Sequence, residues 1–426
     1  MFIFTKEFLF SVMLLSGTLK AMLILLQIHG VPDLTLLSAF GVTLILINEM
    51  RRTLHSLEYK RFELIMLLTL FYLFMIFSLA YTSSPSASII KTIYFGTMAL
   101  AFYFPLLVRE FKVEPFMKSI TLLIFISTPI FLNFYTGYLS GDEAVILSLG
   151  EDEARHMTAL YLTISWLNGI LVLYYFFQEQ VPSSIRWSIM LIAFLFLISA
   201  GGRGPLLFTV LILGGYFLYQ LAQSLISFKL NRLILPVIII ITTTVMIIFI
   251  VSNIKLEKID PSLKLVDNTV ERLMGLVNEK GGGASAHSRV VNAKFSIDKI
   301  NHSAFWGYGV GSYGYEKSKI DELDYPHNLF LEVWFELGYI PLLIFLLLFF
   351  RVYKNINPTQ CSWCMALYFY FLLNVLKSSS LIDIRMMLGF YAIFVIIEYK
   401  EEKVENKTIK KRRIDYEKSS CRHAST

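Results

Sequence analysis

The residues best suited to chemistry lie where polar segments meet long apolar runs, and His327 is the first of them. It stands in the stretch DYPHNLFL, residues 324–331, before an apolar run that reaches about residue 350. A neutral imidazole has an ordinary pKa of about 6.5 and can accept a proton from a hydroxyl nucleophile. The position predicts a general base at the mouth of an apolar helix; the alternative is an ordinary interfacial or capping histidine. Asn328, the next residue, has a side chain suited to cap that helix.

Two arginines are placed where they can bind an anion. Arg203 lies in SAGGRGPLL, where glycines and a proline interrupt two apolar runs. We expect it at the start of a helix, where free N–H groups and the helix dipole favour an anion. Arg289 lies in AHSRVV, at the start of a second helical pattern, two residues after His287, which we expect to be a solvated loop histidine. A guanidinium fork binds phosphate oxygens in pairs, so both arginines predict a phosphate site. The alternatives are an arginine directed to lipid headgroups at Arg203 and a solvated charge at Arg289.

Two carboxylates follow His327 on the same apolar run. Glu332 and Glu336 lie one helical turn apart and therefore share a face. At ~100° per residue this face is roughly opposite His327, which argues against a direct contact with the imidazole. We expect both to face the bundle interior, with a role in packing or in binding the acceptor. Three lysines are expected near helix ends, where they can extend to the membrane surface: Lys20, Lys91 and Lys377.

The sequence offers little support for a metal or nucleotide site. Cys361 and Cys364 have CxxC spacing, but a zinc site needs four ligands and the chain has 3 cysteines in all. We expect both to be ordinary cysteines that face lipid or core. Residues 309–314 spell GxGxxG, yet a dinucleotide-binding fingerprint follows a strand inside a βαβ unit, so we interpret them as a glycine-rich turn. No Asp-x-Asp motif or histidine cluster is placed to bind a metal, and no cofactor is expected.

The elements that must position these residues follow from composition. Of 426 residues, 56% are hydrophobic and 16% are charged, which is too apolar for a soluble core. A bilayer core of about 30 Å requires about 20 apolar residues per spanning helix. The apolar runs therefore predict an all-α polytopic membrane protein with about twelve transmembrane helices: 8–26, 32–48, 63–80, 87–108, 116–135, 157–177, 186–200, 205–221, 233–252, 328–350, 362–376 and 384–398.

Basic residues orient this array, because Lys and Arg in short loops stay on the cytoplasmic side. They fill the loops after the second and fourth predicted helices, whereas loops of the opposite parity are nearly free of them. Both termini are therefore expected in the cytoplasm, with His327, Arg203 and Arg289 on the outer side. The net charge of +6 reflects this topology and the tail, so we infer no nucleic-acid binding. The predicted segments are 1–252 with nine transmembrane helices, 253–326 as one large outer loop, 327–399 with three transmembrane helices, and 400–426 as a basic cytoplasmic tail.

One part of the large outer loop carries a helical pattern. Residues 288–300 place Val291, Phe295 and Ile300 near one stripe, with polar residues elsewhere. This predicts an amphipathic helix that lies on the membrane or caps the bundle.

Three segments, which follow one another along the chain, resemble a known family. They are SAGGRGPLL, then SRVVNAKFSIDKINHSAFWGYGVGSYG, then YPHNLFLEVWFELGYIPLLIFLLL. Together they are similar to the O-antigen ligase and polymerase superfamily of bacterial envelope proteins over about residues 195–350. The Pro-His-Asn start, the helix that contains Gly338 and the glycines from Gly307 to Gly311 are the most specific parts.

The resemblance implies a GT-C-like helical bundle in the bacterial inner membrane, with a periplasmic active site. It implies an inverting, metal-independent glycosyl transfer from an undecaprenyl-pyrophosphate-linked glycan. In this sequence His327 would activate the acceptor hydroxyl, Arg203 and Arg289 would hold the pyrophosphate, and Asn328 would help to bind substrate. A flippase, a chain-length regulator and membrane lipids are the expected partners.

Within the superfamily the sequence favours an O-antigen polymerase. Ligases resemble one another in a second histidine just before the His-Asn pair, and here that region reads Tyr325-Pro326. The alternative is an O-antigen ligase that transfers polysaccharide to lipid A-core. A transporter or flippase for lipid-linked sugars is the second alternative, although such proteins usually keep ionisable residues deep in the bundle, whereas most candidates here lie at its outer rim.

Overall fold

The computed structural model describes residues 5–28, 32–53, 57–140, 151–226, 283–303, 305–357 and 361–397, and the regular structure in these ranges is helical. The helices in chain order are α1 (Lys6–Leu25), α2 (Leu34–Thr53), α3 (Tyr59–Ser78), α4 (Pro85–Leu107), α5 (Val113–Ser140), α6 (Glu151–Phe177), α7 (Ser183–Ser199), α8 (Arg203–Ile226), α9 (Gly283–Ser303), α10 (Ser312–Ser318), α11 (Leu329–Leu337), α12 (Tyr339–Lys354), α13 (Ser362–Ser378) and α14 (Arg385–Ile397).

The protein is a polytopic helical membrane protein, as its composition predicts. In the part of the chain that is described, 6 helices are long and apolar enough to cross a bilayer: α1, α3, α4, α5, α6 and α8. Shorter apolar helices form from α2, α7 and α14. The predicted span 233–252, the first part of the outer loop and the basic tail lie outside the described residues. Each of the other predicted spans overlaps a helix, and the total of about twelve stays a prediction.

The predicted single helix over 328–350 is wrong, because the chain breaks at Gly338. This residue has φ 85° and ψ −169°, a backbone conformation essentially restricted to glycine. A Cβ at Gly338 would overlap the backbone of Phe305 and Trp306, which crosses the break. The N–H of Tyr339 donates to the carbonyl of Phe305 at 3.1 Å, so the crossing segment also satisfies a polar group that the break exposes.

The glycine-rich turn locks this break to the rest of the bundle. Gly307, Gly309 and Gly311 all have positive φ, and a Cβ on any of them would overlap a neighbouring backbone. The N–H of Gly309 donates to the carbonyl of Glu336 at 2.8 Å, and Val310 N–H donates to Ser78 Oγ at 3.1 Å. The turn therefore joins α11 to the end of α3, a structural role that agrees with our interpretation of residues 309–314.

The predicted amphipathic helix is present as α9, but its buried stripe differs from the predicted one. Val291 is exposed, whereas Asn292, Ser296 and Ile300 are buried at successive four-residue intervals. Phe295 packs beside this stripe with its ring 6.1 Å from that of Phe335 on α11. The helix therefore caps the bundle, and the prediction misplaced the stripe by one residue at its start.

Lys91 is not at the membrane surface as predicted, because it lies in the second turn of α4 and is fully buried. Its ammonium forms ion pairs with Glu332 and with Glu336, the latter at 2.7 Å, and all three side chains are at most 1% exposed. Glu332 also accepts hydrogen bonds from Ser380 Oγ at 2.7 Å and from Leu381 N–H at 3.0 Å. The prediction that both glutamates face the interior is confirmed, and their partner is a lysine that the sequence pattern assigned to the surface.

The expectation that Cys361 and Cys364 are ordinary cysteines is also wrong, because they form a disulfide. The start of α13 places their Cα atoms 5.3 Å apart, within the range that a disulfide spans. The CxxC spacing had suggested a metal site or ordinary cysteines, and a disulfide was not among these alternatives. The basic loops assign this end of α13 to the cytoplasm, where disulfides are rare.

Candidate functional site

His327 occupies a constrained position between the outer loop and α11. Its φ is 60°, in the left-handed region that costs a residue with a side chain about 1–3 kcal/mol. Its imidazole is half-buried, and Nδ1 is buried without a hydrogen bond to any described residue. The ring of Tyr325 lies against it, with centroids 4.6 Å apart and planes at 64°. Such backbone strain is typical of functional positions.

The electrostatic surroundings of His327 favour a neutral ring. Burial lowers its pKa below the ordinary value, and the positive charge of Arg289 lowers it further, against an opposing effect of Asp324. Lys317 acts in the same direction as Arg289. A neutral imidazole at pH 7 has a free lone pair, so His327 can act as a general base.

Asn328 positions α11 rather than projecting into open space. Its Oδ1 accepts hydrogen bonds from the N–H groups of Phe330 and Leu331, each at 3.1 Å, in the manner of a helix N-cap. Its Nδ2 donates to the carbonyl of Leu376 on α13 at 2.8 Å. The predicted substrate-binding role gains no support from these contacts, and we assign Asn328 to fixing the helix that follows His327.

Arg203 opens α8 after a break that glycines make possible. Helix α7 ends at Ser199, Gly201 turns the chain with φ 77°, and α8 begins at Arg203 itself. Gly202 lies against Ser165 of α6, whose Oγ accepts its N–H at 2.9 Å, and a Cβ there would overlap that serine. The predicted position of Arg203 at a helix start is confirmed. Pro205 is the third residue of α8.

Arg289 lies in the second turn of α9, beyond the helix start that the sequence predicts. Its side chain is half-buried, and its Nε is buried without a hydrogen bond to a described residue. Its charge acts on His327, on Tyr325 and on Lys377, so it is central to the site. His287 is exposed on the same helix, not in a loop as predicted.

A cavity of about 620 Å³ has Arg289 and Tyr325 in its wall. Leucines of α1 and α6 form much of its wall, and the segment from Asn374 to Met386 forms another part. Its polar lining includes Arg289, Tyr325, Lys377 and Asp383. An apolar space with a few convergent polar groups is the usual form of a ligand site, here at the level of the membrane helices.

The structure brings together most, though not all, of the predicted site. The charge of Arg289 acts on His327, and the charges of Arg203 and Arg289 both act on Lys377. Arg203 itself is not part of the cavity wall, although Pro205 is. Lys377, which was expected at the membrane surface, and Tyr325 line the cavity, and neither was predicted as a site residue. Both lie on the side of the membrane that the charge pattern assigns to Arg203 and His327, which is the signal that points to them.

A comparison with known protein families finds a match, which covers the part of the chain that contains Arg203, Arg289 and His327. Residues 188–346 match the family model described as O-antigen ligase. This part of the chain is similar to the O-antigen ligase family. The matched region runs from α7 into α12 and contains Arg203, Arg289 and His327, whereas Lys377 lies beyond it. The family supports a glycosyltransferase-like role of ligase or polymerase type in O-antigen assembly, and no curated protein matches the chain.

Proposed function

We propose that this protein is an O-antigen polymerase of the bacterial inner membrane. It transfers a glycan from undecaprenyl pyrophosphate to a hydroxyl of another lipid-linked repeat unit on the periplasmic face. The observation that carries the proposal is that the charge of Arg289, which lines an apolar cavity with Tyr325, acts on His327. A base and an anion-binding group are thereby available where a lipid carrier holds its pyrophosphate.

The proposed reaction is a single displacement at the anomeric carbon of the donor. His327 accepts the proton of the acceptor hydroxyl, whose oxygen forms the new bond to C1. The bond from C1 to the phosphate oxygen breaks, and undecaprenyl pyrophosphate leaves with the electron pair. Arg203 and Arg289 stabilise the charge that develops on the leaving group. Attack opposite to the leaving group inverts the anomeric configuration, and the arginines take the place that a metal ion has in other transferases.

The choice of polymerase over ligase rests on the residue before Pro326. Tyr325 stands in the region where ligases resemble one another in a second histidine, and it lines the cavity. The alternative is a ligase that uses lipid A-core as acceptor.

A lipopolysaccharide gel from cells that lack this gene tests the proposal. We expect a single band of core plus one repeat unit, which the wild-type gene restores to a ladder and the His327→Ala gene does not. If deletion removes all O-antigen from lipid A-core while lipid-linked polymer accumulates, the protein is a ligase. An unchanged ladder rejects both activities.

A transporter for lipid-linked sugars is favoured by one observation, the buried cluster of Lys91, Glu332 and Glu336. Ionisable residues inside a helical bundle often mark coupling sites in transporters. A purified transporter would move a labelled lipid-linked unit across liposomes without forming a glycosidic bond. A polymerase lengthens the glycan in the same liposomes without any ion gradient, so product analysis separates the two.

A further inference from the structure

Lys377 is a cation in an unusual place. It lies in the last turn of α13 and lines the cavity beside Arg289. In the described part of the chain, no carboxylate forms an ion pair with its ammonium, and the ring of Phe208 lies 5.8 Å from Nζ. The side chain is half-buried, so water compensates its charge only in part.

The neighbours of Lys377 add to its positive charge. Arg203 and Arg289 both lie close enough for their charges to act on it. The N-terminus of α8, which begins at Arg203, adds the positive end of a helix dipole. Lys377 and Arg289 lie in the cavity wall, and Arg203 at the helix start adds positive charge beside them, so this edge of the cavity favours an anion.

The chain makes room for this lysine at Gly204. A Cβ built on Gly204 would overlap Nζ, Cδ and Cε of Lys377, so only glycine admits the side chain in this position. Gly204 has helical backbone angles in the first turn of α8 and no positive φ, so its backbone would accept alanine. Glycine is therefore needed at position 204 to leave space for the side chain of Lys377, and not for the backbone conformation at the start of α8.

We propose that Lys377 binds the diphosphate of the lipid-linked donor, as a third cation beside Arg203 and Arg289. An anion with several charges and several oxygens suits this edge of the cavity, because the arginines offer planar forks and the lysine offers a compact charge with three donors. The edge also adjoins the apolar part of the cavity, which fits a diphosphate attached to a lipid. This inference rests on the proposed function and adds to it a residue outside the matched family region.

Kinetics of the purified full-length protein test the role of Lys377. We expect Lys377→Met to lower kcat/KM for the lipid-linked donor by about 10- to 100-fold, the range for a lost hydrogen bond to a charged group. Lys377→Arg keeps the charge and should recover a large part of the loss. Lys118→Met removes one exposed lysine of α5 and should leave kcat/KM unchanged. Wild-type kcat/KM in Lys377→Met overturns the proposal.

A double-mutant cycle tests whether Gly204 affects donor binding through Lys377 or through an independent effect on folding. Gly204→Ala should lower kcat/KM about as much as Lys377→Met, because the methyl group displaces the ammonium. In a Lys377→Ala background the same change should cost little, since Nζ, Cε and Cδ, the atoms that the methyl group meets, are already absent. Strictly additive losses would show that Gly204 and Lys377 act independently and would overturn the proposed arrangement.

Ligand binding gives a readout that does not require turnover. Inorganic pyrophosphate should raise the thermal unfolding midpoint of the wild-type protein and raise it less for Lys377→Met. An equal rise for both proteins rejects Lys377 as a diphosphate ligand. If His327→Ala abolishes polymerisation while Lys377→Met keeps full kcat/KM, this inference fails and the proposed function stands. If the wild-type protein forms no polymer, the proposed function fails first.

Discussion

The ring of Tyr325 packs against the imidazole of His327, with centroids 4.6 Å apart. Because Nδ1 of His327 makes no hydrogen bond to a described residue, this ring contact and the left-handed backbone are what orient the imidazole. Burial raises the pKa of Tyr325 to about 12, so its phenol is neutral at pH 7. Tyr325 is thus a positioning residue whose ring matters more than its hydroxyl.

Substitutions of Tyr325 should separate the contribution of its ring to kcat from that of its hydroxyl. Tyr325→Phe keeps the contact with His327 and should keep kcat close to the wild-type value. Tyr325→Ala removes it and should lower kcat by about 3- to 10-fold, since an aromatic pair contributes about 0.5–1.5 kcal/mol. Initial rates with saturating donor measure both. A large loss in Tyr325→Phe would contradict this account and assign chemistry to the hydroxyl.

The pH dependence of kcat/KM should report His327 in the free enzyme. Since burial and then Arg289 lower the pKa of His327, the rate should fall as pH decreases through a midpoint below 6.5. Arg289→Gln removes one cause of the lowering, so the midpoint should move to higher pH. Lys118→Gln loses the same charge at an exposed site and should leave it in place. The same midpoint in Arg289→Gln would contradict the proximity of Arg289 to His327.

Replacement of Arg203 by lysine keeps the charge and removes the planar fork. We expect Arg203→Lys to reach the membrane at wild-type level and to lose about 10- to 100-fold in kcat/KM, the range for a charge-assisted hydrogen bond. Arg109→Lys, at an exposed residue that pairs with Glu110, is the matched control. Full activity of Arg203→Lys would remove the bidentate pyrophosphate contact from the mechanism.

The break at Gly338 should be essential for folding. Gly338→Ala places a methyl group on the backbone of Phe305 and Trp306 and forces an unfavourable φ, so we expect little folded protein. Gly214→Ala in α8 meets no atom within 4 Å and should leave yield and melting temperature unchanged. Yield after detergent extraction and the melting temperature measure both. A normal yield of Gly338→Ala would contradict this expectation, because α11 and α12 could then form one continuous helix.

The buried ion cluster should contribute to stability as a unit. Lys91→Met leaves Glu332 and Glu336 buried without their counter-charge and should destabilise the protein by about 3–5 kcal/mol, the range for breaking a buried pair. Adding Glu332→Gln and Glu336→Gln removes the uncompensated charge and should restore part of that stability. Chemical unfolding in detergent checks both. Equal stability of the single and triple variants would show that the charges are not coupled.

The helical framework and the position of the site follow from the sequence because both depend on local signals. Apolar runs fix most helices, and the glycines around Arg203 fix the start of α8. The Pro326-His327-Asn328 order marks the start of α11. These features depend only on residues that are close in sequence, so they can be predicted from periodicity and from the rules of helix capping.

The errors come from contacts between distant segments. Nothing near Lys91 in sequence indicates that α4 meets the acidic face of α11, so the rule for lysines near helix ends assigned it to the surface. The break at Gly338 depends on residues 305–309 crossing it, and a single glycine within an apolar run does not predict that. Lys377 belongs to the site only because Gly204 on α8 leaves space for it.

The most direct test is polymerisation by purified protein in liposomes that contain only lipid-linked repeat units. The account predicts that wild-type protein forms longer glycans and releases undecaprenyl pyrophosphate, whereas His327→Ala, folded and able to bind pyrophosphate, forms none. Elongation by His327→Ala at the wild-type rate would contradict the account, because the acceptor hydroxyl would then be activated without His327.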